Sequence, residues 1–97
     1  MIVAIRHNIT DPKKWEEAGG KILPMIQEGR LPKGLKALSY LPGVDGRRAE
    51  CVWEAGSVED LKRFLDPLTA PAAHNEYIPI NAEQAMGLPV EEHAAAH

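Results

Sequence analysis

Thirty-two residues, Gly34 to Leu65, read GLKALSYLPGVDGRRAECVWEAGSVEDLKRFL and leave little choice of local structure. Gly34 to Leu41 is rich in strand formers, Pro42-Gly43-Val44-Asp45-Gly46 is a turn, and Arg47 to Ala55 is a second strand, so the segment predicts a β-hairpin. Gly56 ends it. Ser57-Val58-Glu59-Asp60 then has the form in which a hydroxyl caps the first amides of a helix and acids favour its positive end. Leu61, Phe64, Leu65 and Leu68 supply the apolar stripe of that helix, and Asp66-Pro67 and Ala70-Pro71 limit its run.

The flanks extend the pattern on both sides. Ile2, Val3, Ala4 and Ile5 are all apolar, as in a central strand covered on both faces. Thr10-Asp11-Pro12 caps a following helix, with proline at the position where its missing N–H costs nothing. Trp15, Ala18, Ile22 and Met25 or Ile26 recur at helical spacing. Gly19-Gly20 and Pro24 weaken the second half, and Gly29 is a plausible stop. Asn75 to Ile80 is short and strand-like, and Asn81 to Gly87 reads as one capped helical turn closed by glycine. The order β-α-β-β-α-β predicts a ferredoxin-like α+β sandwich, a four-stranded antiparallel sheet with its first and third strands central and both helices on one face.

At 97 residues the chain is expected to form one domain, residues 1–89, followed by a frayed tail over 90–97. A net charge of −3, with basic residues clustered no further than short pairs such as Lys13-Lys14 and Arg47-Arg48, argues against nucleic acid and anionic membranes as partners. MIVAI is too short for a membrane span and runs at once into Arg6 and His7. One cysteine, Cys51, forms no internal disulfide, so a cytoplasmic location is expected.

Alternation in the hairpin sends Leu35, Ala37, Leu41, Ala49, Cys51 and Trp53 toward the helices. Val52, Leu38, Ile78 and Ile80, mixed with Lys36, Tyr40, Glu50 and Glu54, then fall on the bare face. Two such faces packed about a twofold axis would be covered, so a homodimer is expected.

This element order, together with the Glu50-Cys51-Val52-Trp53-Glu54-Ala55 strand running into a Ser57-capped helix, resembles the dimeric α+β barrel superfamily over residues 1 to about 89. Within it, the Cys-Val-aromatic-x-Ala strand before a capped acidic helix is similar to a small uncharacterised group, some of them described as nickel-binding. The resemblance implies a homodimer and a small-molecule ligand or a divalent transition metal such as nickel. The superfamily includes cofactor-free monooxygenases, isomerases, haem enzymes and plain ligand-binding proteins, so enzymatic activity stays open.

The topology gathers polar residues at one end of the sheet: Arg6, His7 and Asn8; Ser39 and Tyr40; Arg48, Glu50 and Cys51; and His74, Asn75, Glu76 and Tyr77. Three uses compete for them. His7, Cys51 and His74 are candidate metal ligands, with Glu50, Asn75 and Tyr77 as candidate ligand-binding residues beside them. Their spacing is not diagnostic, and alternation sets Cys51 and Glu50 on opposite faces. Alternatively His7 acts as a general base and Tyr40 as a hydrogen-bond donor on a small aromatic or carbonyl substrate, as in a cofactor-independent monooxygenase or isomerase. The plainer alternative is a structural dimer in which His7 bonds a backbone carbonyl, Tyr40 packs at the rim, and Cys51 and Trp53 fill the core. Glu50 and Glu54, about 13 Å apart along one strand face, are too distant to share a proton and suit Arg48 or Lys36 across the hairpin. His93 and His97 in the tail are weak evidence for a metal site.

Overall fold

A computed structural model of the chain describes residues 1–88; the tail expected over 90–97, with His93 and His97, lies outside the described residues. The elements follow the order β1 (Ile2–Ile9), α1 (Pro12–Gln27), β2 (Lys36–Pro42), β3 (Arg48–Glu54), α2 (Val58–Thr69) and β4 (Ala73–Ile80). The strands form one antiparallel sheet in the order β2-β3-β1-β4, with β1 and β3 central. This is the ferredoxin-like α+β fold.

Helix starts are set by the residues expected to cap them. Asp11 accepts from the Lys14 amide at 3.1 Å and Ser57 from the Asp60 amide at 3.1 Å, each satisfying one donor that the first turn leaves without a partner. Helix ends depart from expectation. Pro67 lies inside α2, which runs on to Thr69, and the strand after it begins at Ala73 rather than Asn75. Proline in a last turn forfeits one backbone bond while the Leu61-Leu65-Thr69 stripe stays buried, so packing outweighs the break. Asn81 to Gly87 forms a turn, not a helical turn; the Gln84 amide bonds the Asn81 carbonyl at 3.2 Å and Gly87 takes a positive φ of 74°.

The core lies between the sheet and the helices. Val3 and Ile5 from β1, Cys51 and Trp53 from β3, and Leu61 and Leu65 from α2 are buried together, with Ile22 and Ile26 of α1 packed against them. Burying each large aliphatic side chain contributes about 1.5–3 kcal/mol.

One irregularity reassigns faces. The β2–β3 register pairs Ala37 with Trp53 and Ser39 with Val52, so Leu38 is an extra residue in a β-bulge. Beyond it every side chain of β2 changes sides. Tyr40, expected on the bare face, pairs with Cys51 on the helix face, and Leu41, expected inward, pairs with Glu50 and is 62% exposed. The exchange gives an aromatic ring and its hydroxyl a place over the core while a leucine goes to the outer face.

Candidate functional site

Three residues placed by strand pairing meet over the helix face. His7 on β1 stands between Ala49 on β3 and Asn75 on β4, two residues along the ladder from the Ile5–Cys51 pair and so on the same face as Cys51. Its ring is 3% exposed, and both nitrogens are engaged: Nδ1 lies 2.6 Å from Asn75 Oδ1 and Nε2 lies 2.8 Å from Cys51 Sγ. The indole N–H of Trp53 donates to the same sulfur at 3.2 Å.

The direction of these bonds follows from their surroundings. Thr69 spends its one hydroxyl proton on the Leu65 carbonyl at 2.9 Å, so it must accept from Asn75 Nδ2 at 2.8 Å. Asp66 Oδ1 also accepts from Asn75 Nδ2, at 3.1 Å, and takes the Tyr77 hydroxyl proton at 2.7 Å. The amide of Asn75 therefore turns its nitrogen to α2 and its oxygen to His7. That oxygen requires a proton on Nδ1, which leaves the Nε2 lone pair of the neutral ring to accept from the Cys51 thiol. The result is an ordered relay, thiol to imidazole to amide, anchored on Asp66 and Thr69.

Electrostatics agree with a neutral resting pair. Burial lowers the pKa of His7 below its usual value, opposed by the bond to Asn75. Burial also pushes the Cys51 thiol up to about 11, opposed by the Trp53 donor. Burial, with Asp66 beside it, raises Tyr77 well above the ordinary phenol range. Every buried side-chain nitrogen and oxygen among the described residues has a hydrogen-bond partner.

Beside the relay, α1 stands away from β2 and β3 and leaves a cleft of about 400 Å³. Ala18, Gly19, Ile22, Leu23 and Ile26 of α1 form one wall, Ala37, Leu38 and Tyr40 another, and His7, Cys51, Trp53 and Thr69 the floor. Gly19, one of the two glycines that weaken α1, has no side chain to close this space, and an ideal Cβ there meets nothing within 4 Å. Trp15 also lines the cleft, its ring centroid 4.8 Å from that of His7 and its N–H donating to the Tyr40 hydroxyl at 3.2 Å. Tyr40 is 53% exposed at this mouth, and among the described residues nothing takes its own hydroxyl proton. A lining that is almost all carbon with a few converging polar groups suits a small, mainly apolar molecule.

Of the candidate residues, the structure brings together His7, Tyr40, Cys51, Asn75 and Tyr77. It does not bring His74 or Glu50 to them. His74 pairs with Asn8 and Glu50 with Arg6, one residue out of phase with His7 and Cys51, so both point to the opposite face. Glu50 faces its register partner Arg6, at 3.6 Å. His7, Cys51 and His74 therefore do not converge on one ion, and among the described residues no group of three His, Cys, Asp or Glu side chains is placed to hold a metal. His7 bonds side chains, not the backbone carbonyl of the plainer expectation.

Asp66 and Thr69 escaped the sequence reading. Thr69 extends the Leu61, Leu65 stripe by one more turn, and a hydroxyl on a buried stripe was the one signal that a polar partner lay across from it. No helix among the described residues is long and apolar enough to cross a membrane. No protein-family model, curated protein or solved structure matches the chain.

Proposed function

We propose that this protein is a homodimeric small-ligand-binding protein built in the manner of the dimeric α+β barrels, taking one flat, mainly apolar molecule with a single polar end between α1 and the sheet. The observation that carries this is the cleft of about 400 Å³, walled by aliphatic and aromatic side chains and floored by His7 and Cys51, with the Tyr40 hydroxyl at its mouth. That volume falls in the range of small-molecule sites. The polar end of the ligand accepts from Tyr40, and its flat body lies along Trp15 and Leu23. A transition metal is the weaker version, since His7 and Cys51 already satisfy one another and His74 lies on the other face. A cytoplasmic location fits the single reduced thiol.

The dimer rests on the outer sheet face. Ile2, Ala4, Val52, Ile78 and Ile80 alternate outward at its centre, with Ile78 43% exposed, and Arg6 and Glu50 flank them with opposite charges. A twofold pairing of this face would cover these apolar side chains and leave the Arg6–Glu50 pairs beside them.

Gly19→Phe tests the ligand site, because its ring enters open space in the cleft, whereas Gly20→Ala, outside the cleft lining, is the control. In an NMR titration with small aromatic alcohols and ketones, saturable shifts at cleft residues are expected in the wild type and Gly20→Ala and not in Gly19→Phe. Shifts elsewhere, or shifts unaffected by Gly19→Phe, would refute the assignment.

A further inference from the structure

We propose that Cys51 is a nucleophile, with His7 as its general base and Asn75 as the residue that positions that base, and that it adds reversibly to carbon–carbon double bonds conjugated to a carbonyl. The proposal rests on the cleft as a ligand site and adds a substrate class and a reaction to it.

Cys51 is not a cysteine that merely fills the core. It is 6% exposed, and it lines the cleft rather than a closed interior. Its sulfur has a base at 2.8 Å, and the base is held in the one tautomer that can receive a thiol proton. A relay of this kind, nucleophile to base to orienting group, is the arrangement that nucleophilic catalysis requires. A core cysteine needs none of it.

The surroundings choose among electrophiles. Acyl transfer would develop an oxyanion next to Sγ, and β1 and β3, which carry His7 and Cys51, are central strands paired on both sides, so their backbone donors are drawn into the ladder. Conjugate addition places its negative charge on a carbonyl oxygen remote from the carbon attacked. Tyr40, the cross-strand partner of Cys51 with an unspent hydroxyl proton, can meet that oxygen. In the forward step the S–H proton passes to His7 Nε2, the S–C bond forms at the β-carbon, and the π pair of the double bond shifts to the carbonyl oxygen as an enolate. His7 then returns the proton to the α-carbon. The net change is addition of S–H across the double bond, with no oxidant or reductant. If the enolate adduct instead rotates about the former double bond and expels the sulfur as thiolate, the alkene leaves with inverted geometry and His7 Nε2 returns its proton to the sulfur, which is a cis–trans isomerisation.

N-phenylmaleimide, flat and apolar, is the probe, and the single cysteine makes intact mass an unambiguous readout. The titratable groups around the pair are Tyr40 from β2, Tyr77 from β4 and, through Asn75, Asp66 from α2. A thiol held at about 11 and acting unaided would react about tenfold faster with each pH unit from 7 to 9. With His7 as base the rate instead changes less than about twofold over that interval and falls only as the pH drops through the lowered pKa of His7. His7→Gln is expected to slow the plateau rate about 100-fold. Asn75→Ala is expected to slow it less and to move the acid limb to lower pH, because Asn75 is the partner that holds the His7 pKa up. A tenfold rise per pH unit in the wild type overturns the proposal whether or not the variants fold. So does labelling no faster than global unfolding. If cleft ligands bind while labelling follows unfolding, the nucleophile fails and the ligand site stands; if neither occurs, both fail.

Discussion

Burial and hydrogen bonding act on His7 in opposite directions, and burial is the larger effect. The folded protein therefore binds a proton at His7 less readily than the unfolded chain, whose imidazole titrates near 6.5. As the pH falls below that value the unfolded state takes up the proton first, so stability is lost progressively down through the folded pKa. Cys51 gives the mirror-image effect: its pKa is raised from 9.0 to about 11, so stability is lost as the pH rises through that window. The expected outcome is a thermal midpoint that falls on acidification below about pH 6.5 more steeply in the wild type than in His7→Gln. Equal slopes would mean that His7 is not held neutral. His7 and Cys51 were legible as candidates because a histidine ending one strand and a cysteine starting another fall at the same end of the sheet. Their direct contact was not, because it depends on the register between β1 and β3.

Among the elements, α2 shows local signals working as written and α1 shows them leaving room. Ser57 caps α2 while Glu59 and Asp60 stand in its first turn, where carboxylates meet the positive end of the helix. Ser57→Ala should cost about 1 kcal/mol in urea unfolding, with the N-phenylmaleimide plateau at Cys51 unchanged. A larger loss, or a change in that plateau, would show that the cap also holds the cleft. In α1 the apolar spacing was correct, but Ala18 is its only buried residue, and an expected packing face that includes Gly19 stands as a cleft wall. Periodicity reports which side of a helix is apolar and not how close it comes to the sheet. The bulge at Leu38 is similar. Nothing in the alternation of Lys36 to Leu41 marks an extra residue, and the shift is set by the pairing with β3 and by what Tyr40 gains over the helix face.

For the whole molecule, the sheet divides the chemistry into two faces. One carries the relay and the cleft; the other carries Ile2, Ala4, Val52, Ile78 and Ile80 beside the Arg6–Glu50 pair. The outer face is the expected dimer interface, so sedimentation at micromolar concentration should give twice the 10.6 kDa of one chain. Ile78→Asp, a charge at the centre of that face, should shift the mass to one chain while Cys51 labelling persists. A wild-type mass of 10.6 kDa would remove the dimer and leave the cleft untouched.

By itself the amino-acid sequence determined the order of the elements, the caps that start both helices, the hairpin from Gly34 to Ala55 and the inward side of Cys51 and Trp53. All of these are decided by neighbours within a few residues, through capping, turn chemistry and alternation. The tertiary structure alone decided that Tyr40 faces the cleft, that His74 does not, and that Asn75, Asp66 and Thr69 orient His7. Those outcomes turn on one bulge and on registers between strands far apart in the chain, where a shift of a single residue moves a side chain to the other face.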